Sequence, residues 1–182
     1  MLYTDNPYQK PRKAETGWTR RHRPAGVEAR VSLREVTAQT VRDICNLSVA
    51  PAQERFVAPN SVSIAEAYFS EKAWFRAIYA GGTPVGFLML YDDPQKPEYY
   101  LWRFMIADSH QGQGYARRAM ELLIEHVRRR PMAEELVLSY VPGEGSPEGF
   151  YRRLGFEPTG EVLEREVVMR LRLSGHPGRT AE

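Results

Sequence analysis

Residues 105–131, MIADSHQGQGYARRAMELLIEHVRRRP, run an apolar segment into Gln111-Gly112-Gln113-Gly114 and then at once into an amphipathic helix. Glycine beside a helix start removes side chains where the backbone must approach something closely, and a helix N-terminus presents unpaired N–H groups. Such a turn suits an anion, above all a phosphate. Two phosphate motifs fail on the residues present. A P-loop opens its helix with Gly-Lys-Ser/Thr, and Gly114, Tyr115 and Ala116 supply neither the lysine nor the hydroxyl. A dinucleotide fingerprint counted from Gly112 needs a third glycine where Arg117 stands, and it belongs early in the chain rather than at its middle. Gln111, Gly114 and Ala116 remain as Q-x-x-G-x-A, set between a strand and a helix.

A turn of this kind needs a strand that ends before it and a helix that begins at it. EYYLWRFMIA supplies the strand, ending at Asp108, and the helix is expected from about Gln113. Ala116, Ala119, Met120, Leu123 and Val127 form its apolar stripe, Arg117, Arg118, Glu121, Arg128 and Arg129 face outward, and Pro131 stops it. Upstream, EARVSLREV alternates as a half-buried strand does, and Thr37 caps a helix carrying Val41, Ile44 and Leu47. Ser63 and Glu66 have the spacing of a capping box, which predicts a helix over 64–71. AWFRAIYA, the turn GGT and PVGFLMLYDD read as a β-hairpin. Downstream, ELVLSYV is a strand, SPEGFYRRLG a short helix with Ser146 as N-cap and Pro147 at its first position, and FEPTGEVL and EREVVMRLRL are closing strands. The fold class is α/β, a mixed sheet flanked by helices.

Composition narrows the function. The 182 residues are 42% hydrophobic, enough for one domain with a substantial core. Cys45 is the only cysteine, which excludes an internal disulfide, and the four scattered histidines suggest no metal site. No apolar run approaches the roughly 20 residues of a membrane span, and the N-terminus lacks a signal-peptide centre, so a cytoplasmic address is expected. Residues 1–27 carry six basic and two acidic side chains and read as a basic, flexible extension; residues 28–173 form the domain, mildly acidic, and 174–182 a polar tail. A solvated arm is favoured over a nucleic-acid contact for the extension.

The Q-x-x-G-x-A pattern resembles the acyl-CoA pyrophosphate loop of the GCN5-related N-acetyltransferases (GNAT), and FYRRLGF at 150–156 looks like that family's second signature, F-Y-x-x-x-G-F, 39 residues after Gln111. The likeness spans about Ser32 to Leu173. Within the family, YYLWRFMIADSHQGQGYARRAMELLI and FVAPNSVSIAEAYF are most similar to bacterial spermine/spermidine acetyltransferases. The resemblance implies a GNAT-like acyl-CoA acyltransferase fold with a mostly antiparallel sheet. It also implies acetyl-CoA as cofactor, a small-molecule amine as acceptor, and direct transfer without metal or covalent acyl-enzyme. Such enzymes commonly pair as homodimers.

By the same resemblance, Gln111, Gly112, Gln113, Gly114, Tyr115 and Ala116 wrap the diphosphate, with Arg117 adding positive potential. Phe104, Met105 and Ile106 offer main-chain groups to the pantetheine arm, one amide polarising the thioester carbonyl. Tyr151 is the expected general acid for the departing thiolate, a phenol being protonated at neutral pH. Glu144 and Pro147 depart from the asparagine and alanine frequent in the family, and Ser146 could replace part of the lost contact. An ammonium with a pKa near 10 needs a base, for which Glu98 and Glu54 are candidates, while Asp92 and Asp93 read as hairpin-end residues. For a polycationic acceptor, Glu54, Glu66, Asp92, Glu98, Tyr68, Tyr99, Tyr100 and Trp102 could supply carboxylates and aromatic faces. Alternatives are another amine, such as a protein lysine or N-terminus, an antibiotic or an amino acid derivative, or a non-catalytic acyl-CoA sensor binding nucleic acid through the basic arm.

Overall fold

The computed structural model describes residues 30–173, so the extension at 1–27 and the tail at 174–182 lie outside the described residues. Strands β1 (Val31–Arg34), β2 (Ala73–Ala80), β3 (Thr83–Asp93), β4 (Glu98–Ile106), β5 (Glu135–Tyr140), β6 (Glu157–Leu163) and β7 (Glu166–Arg172) join one sheet in the order β1-β2-β3-β4-β5-β7-β6. Every neighbouring pair is antiparallel except β4 with β5. This is the mixed, mostly antiparallel sheet expected. Helices α1 (Val41–Cys45), α2 (Asn60–Ala67), α3 (Tyr115–Arg128) and α4 (Glu148–Arg153) flank it, together with short 3-10 segments at Pro51–Phe56 and Asp108–His110.

Apolar residues fill both faces of the central strand β3. Leu88 and Leu90 enter one core with Ala119, Met120, Leu123 and Val127 of α3, while Phe87 and Met89 enter a second core with Ile44 of α1. A continuous apolar run such as GFLML is what a strand covered on both sides requires. The four α3 residues are fully buried, and each large side chain so placed contributes about 1.5–3 kcal/mol relative to exposure.

Local rules hold at some helix ends and lose at others. α3 begins at Tyr115, with Gly114 in the left-handed region at its N-cap, φ +79°. α2 begins at Asn60 rather than at 64, because Ser63 is buried and its hydroxyl donates to the Pro59 carbonyl one turn back. Its expected partner Glu66 is drawn away to Arg103 on β4, 2.9 Å. The amide of Asn60 instead stitches the second core together, donating to the Ile44 carbonyl at 2.8 Å and reaching the Met105 sulfur. In α4, Pro147 takes the N-cap in place of Ser146, and no side chain caps the helix.

The feature that shapes the site is the short pairing of β4 with β5. Only Tyr100 with Val137 and Leu101 with Leu138 are matched. Directly beyond them β4 carries a bulge: Leu101 faces Leu90 and Arg103 faces Met89, which leaves Trp102 as the extra residue. A bulge kinks its strand and increases its twist, here turning β4 away from β5. Past the bulge β4 stays paired with β3, and Gly86 lets it do so closely. A Cβ at Gly86 would stand 2.4 Å from the Met105 carbonyl oxygen. Gly86→Ala should therefore cost about 1–3 kcal/mol by forcing β3 and β4 apart, read as a lower urea midpoint at unchanged slope.

Candidate active site

The gap between β4 and β5 opens into a cleft of about 630 Å³. Its floor is β4 from Tyr100 to Ile106, one end is the turn Gln111–Gly112 with the start of α3, and Phe150 and Tyr151 of α4 form a wall. Beyond Leu101 the edge of β4 turned toward β5 has no strand partner among the described residues, so its main-chain groups face the cleft. An extended molecule bearing amides can be read by such an edge as a further strand would be.

At the glycine turn, Gly112 and Gly114 have φ of +73° and +79°, and a Cβ at either position would meet nothing within 4 Å. Their value is conformational, and the space beside them is open. The first hydrogen bond of α3 runs from the Arg118 N–H to the Gly114 carbonyl, so the amides of the preceding turn point out of the helix end. That arrangement suits a diphosphate, and the open β4 edge suits an amide-bearing arm leading from it. Gln111 works as a strut: its Nε2 donates to the Ile106 carbonyl at 2.9 Å and to Gln53 Oε1 at 2.8 Å. Arg117 and Arg118 both close on Glu121, at 3.2 and 3.0 Å, and neither lines the cleft. Ser146 lies at the cleft wall beside Gly145.

Tyr151 is only 6% exposed, its ring set between Phe150 and Phe156 with centroids 5.4 and 5.8 Å away. Burial pushes its phenol well above the ordinary tyrosine value, and the nearby Tyr100 hydroxyl adds to the shift. The phenol is therefore held in its neutral, proton-bearing form at neutral pH. Phe104 stacks on Phe150 at 5.9 Å, fixing α4 against β4. The segment Pro51–Phe56 reaches across the mouth, where the Arg55 guanidinium donates to the Glu144 carbonyl at 2.6 Å.

The carboxylates nominated from sequence separate. Glu54 lines the cleft. Glu98 does not; it lies at the start of β4 beside a second hollow of about 490 Å³, which Tyr91, Glu135 and Val137 also line. The two spaces share Tyr100 and Trp102. Asp92 and Asp93 close the β3–β4 hairpin as expected, Asp93 accepting from the Gln95 N–H at 3.1 Å, but both are buried and paired, Asp92 on Arg130 at 2.9 Å and Asp93 on Lys72 at 3.3 Å. Tyr68 stands out in solvent at the end of α2, 85% exposed and away from the cleft. Two polar cleft residues carried no signal in the sequence. Ser139 of β5 donates to the Glu166 carboxylate of β7 and shares a 2.5 Å hydrogen bond with the Tyr100 hydroxyl of β4. Their spacing, 39 and 27 residues, has no local period. Among the described residues, no group of three or more His, Cys, Asp or Glu could hold a metal ion, and no helix is long and apolar enough to cross a membrane.

Comparison with known proteins agrees with this geometry. The chain is 26% identical over 148 residues to the spermine/spermidine N(1)-acetyltransferase of Bacillus subtilis, covering 76% of this chain and 96% of that protein. Its fold matches the crystal structure of spermidine N-acetyltransferase from Vibrio cholerae in complex with CoA and spermine, with a TM-score of 0.63 at 16% identity over 79% of this chain and 96% of that one. The ribosomal-protein-S18-alanine N-acetyltransferase of Escherichia coli matches with a TM-score of 0.62 at 18% identity, over 84% of this chain and 99% of that one. Residues 39–156 fit the model of the acetyltransferase (GNAT) family, and the chain belongs to that family of acetyl-CoA-dependent N-acetyltransferases.

Proposed function

We propose that the protein acetylates a primary amine of a polyamine such as spermidine or spermine, with Tyr151 as the acid that protonates the departing thiol. The observation that carries this reading is the meeting of three features in one cleft: the glycine turn, the unpaired edge of β4 and the buried phenol. Acetyl-CoA supplies an activated thioester. The amides at Gly112–Ala116 hold its diphosphate, and main-chain groups of Phe104, Met105 and Ile106 align its arm. An amide of β4 aimed at the thioester oxygen would stabilise the negative charge that grows there on attack. Tyr151, kept neutral by burial, has a proton to give where negative charge develops on sulfur.

The acceptor reading rests on the carboxylates and aromatic faces of the cleft. Glu54 and Glu166 line it, and the shared residues Tyr100 and Trp102 lead from it toward the hollow bordered by Glu98 and Glu135. A chain with several ammonium groups needs carboxylates and aromatic faces along its length, because each charge must be paired or kept hydrated. A single-amine acceptor would use the cleft and leave the hollow aside. The kinship with a spermine/spermidine acetyltransferase supports the first choice.

Thiol release from acetyl-CoA, measured across spermidine, spermine, a diamino acid and a peptide amine, should saturate at the lowest concentration with the polyamines; saturation with one of the other amines alone contradicts the acceptor reading. Tyr151→Phe should lower kcat by about 10²–10⁴-fold while leaving CoA binding by calorimetry nearly unchanged. The phenol also makes stability depend on pH. A folded-state pKa raised above the unfolded value of about 10 gives stability that is complete below pH 10 and declines as pH rises further. Urea midpoints recorded up the alkaline range should fall for the parent protein, and Tyr151→Phe should lack that part of the fall.

A further inference from the structure

An ammonium group sheds two protons on becoming an amide. One is matched by the proton that sulfur gains through Tyr151, and the other must leave the cleft. Three side chains lie in line for it. Ser139 has one hydroxyl proton and gives it to Glu166, so the 2.5 Å bond between Ser139 and Tyr100 must be donated by Tyr100. The chain therefore has a fixed direction, from the Tyr100 hydroxyl through the Ser139 hydroxyl to the Glu166 carboxylate. It leaves the lone pairs of the Tyr100 oxygen free to accept from the cleft side. All three residues line the cleft that holds Tyr151, and Glu166, at the start of the last strand, is half-buried, with access to solvent.

We propose that Tyr100, Ser139 and Glu166 form a proton relay that carries the acceptor's proton from the reaction centre to solvent. The nitrogen's proton passes to the Tyr100 oxygen as Tyr100 passes its own to Ser139 and Ser139 passes its own to the Glu166 carboxylate, which releases it to water. The nitrogen lone pair then forms the bond to the acyl carbon and the carbon–sulfur bond breaks. Sulfur takes the Tyr151 proton, and the second proton on nitrogen replaces it. The count closes with one proton released per acetyl transferred. Tyr100 is the member that meets the acceptor; Ser139 and Glu166 act through it.

The arrangement explains why three strands meet here. Tyr100 belongs to the last matched pairs of β4 and β5, Ser139 lies on β5 one residue past its last pairing with β4, and Glu166 opens β7, so the splay itself brings the relay to the cleft floor. The other charged or titratable groups lining the cleft around it are Glu164 and Arg165 in the β6–β7 turn, Arg103 on β4, Tyr140 on β5, Tyr151 on α4, Glu54 and Arg55 across the mouth, and His110 and Tyr115 at the glycine-turn end. Arg103 is held by Glu66 and Arg55 by the Glu144 carbonyl, so neither cation closes on Glu166.

The relay presupposes the amine acetylation proposed above, and its test separates the two. Glu166→Gln keeps an oxygen for the Ser139 hydroxyl but cannot take a proton; Tyr100→Phe keeps the ring and loses only the first acceptor. In the full chain, kcat/KM would be followed from pH 6 to 10 with two acceptors of one shape, an ordinary alkylamine of pKa about 10 and a fluorinated analogue that is free base at neutral pH. For the ordinary amine, both variants should lose about a hundredfold at pH 7, with the loss shrinking as pH approaches 10. For the fluorinated analogue they should lose less than about threefold, and with the ordinary amine Glu166→Asp should keep part of the activity that Glu166→Gln loses. Equal losses with both acceptors at every pH, or no loss, overturn the relay alone. A parent protein that releases no thiol with any amine overturns the acetylation and the relay together.

Discussion

Two strands that begin as a parallel pair and then part create the one constraint on which the rest depends. β4 and β5 match at Tyr100 and Leu101 and nowhere else, although β5 goes on to pair β7 along its whole length. Main-chain groups left without partners inside a protein cost about 1–3 kcal/mol each unless water or a ligand meets them. The bulge at Trp102 makes the parting compulsory, since it tilts β4 while β3 still holds its other edge. Gly86 is part of the same device, because any side chain there would collide with the Met105 carbonyl. An open edge of this kind is an unmet demand for amides, and the pantetheine arm of acetyl-CoA carries amides.

The elements around the gap are tied so that it neither closes nor drifts. Gln111 joins the end of β4 to the Pro51–Phe56 segment, Arg55 joins that segment to the loop before α4, and Phe104 stacks on Phe150. None of these contacts is strong alone. Together they set the distance between the glycine turn, where a diphosphate would rest, and the phenol of Tyr151. Burial raises the phenol's affinity for its proton, which makes it a weaker acid in isolation yet keeps it protonated at neutral pH. A group in that state is suited to giving its proton only when a thiolate forms beside it.

Much of this was legible before the structure because it is local. Strand alternation, the Gly81-Gly82 hairpin turn and the α3 stripe follow two short periods, and they appear where those periods place them. The glycine turn stands out because small residues sit at a helix start, whereas Tyr151 stands out only through the resemblance of FYRRLGF to the family's second signature. What escaped is non-local. Ser63 has the spacing of a cap, but packing beneath α2 buried it and drew Glu66 to Arg103. Asp92 lies at the hairpin end as its type suggests, but its burial against Arg130, which follows α3 38 residues on, could not be read locally. The bulge at Trp102 leaves no mark in EYYLWRFMIA, since a bulge is a relation between two strands. The chain of Tyr100, Ser139 and Glu166 is hidden for the same reason, one residue on each of three strands.

The central claim is that the splayed edge and the glycine turn together grip acetyl-CoA with its sulfur end toward Tyr151. A crystal structure of the protein with CoA tests it most directly. The account predicts diphosphate oxygens about 2.7–3.2 Å from amides of Gly112–Ala116, the arm paired with main-chain groups of β4 beyond Leu101, and the sulfur beside the Tyr151 hydroxyl. CoA held elsewhere, or bound at the turn with its sulfur directed away from Tyr151, would contradict it.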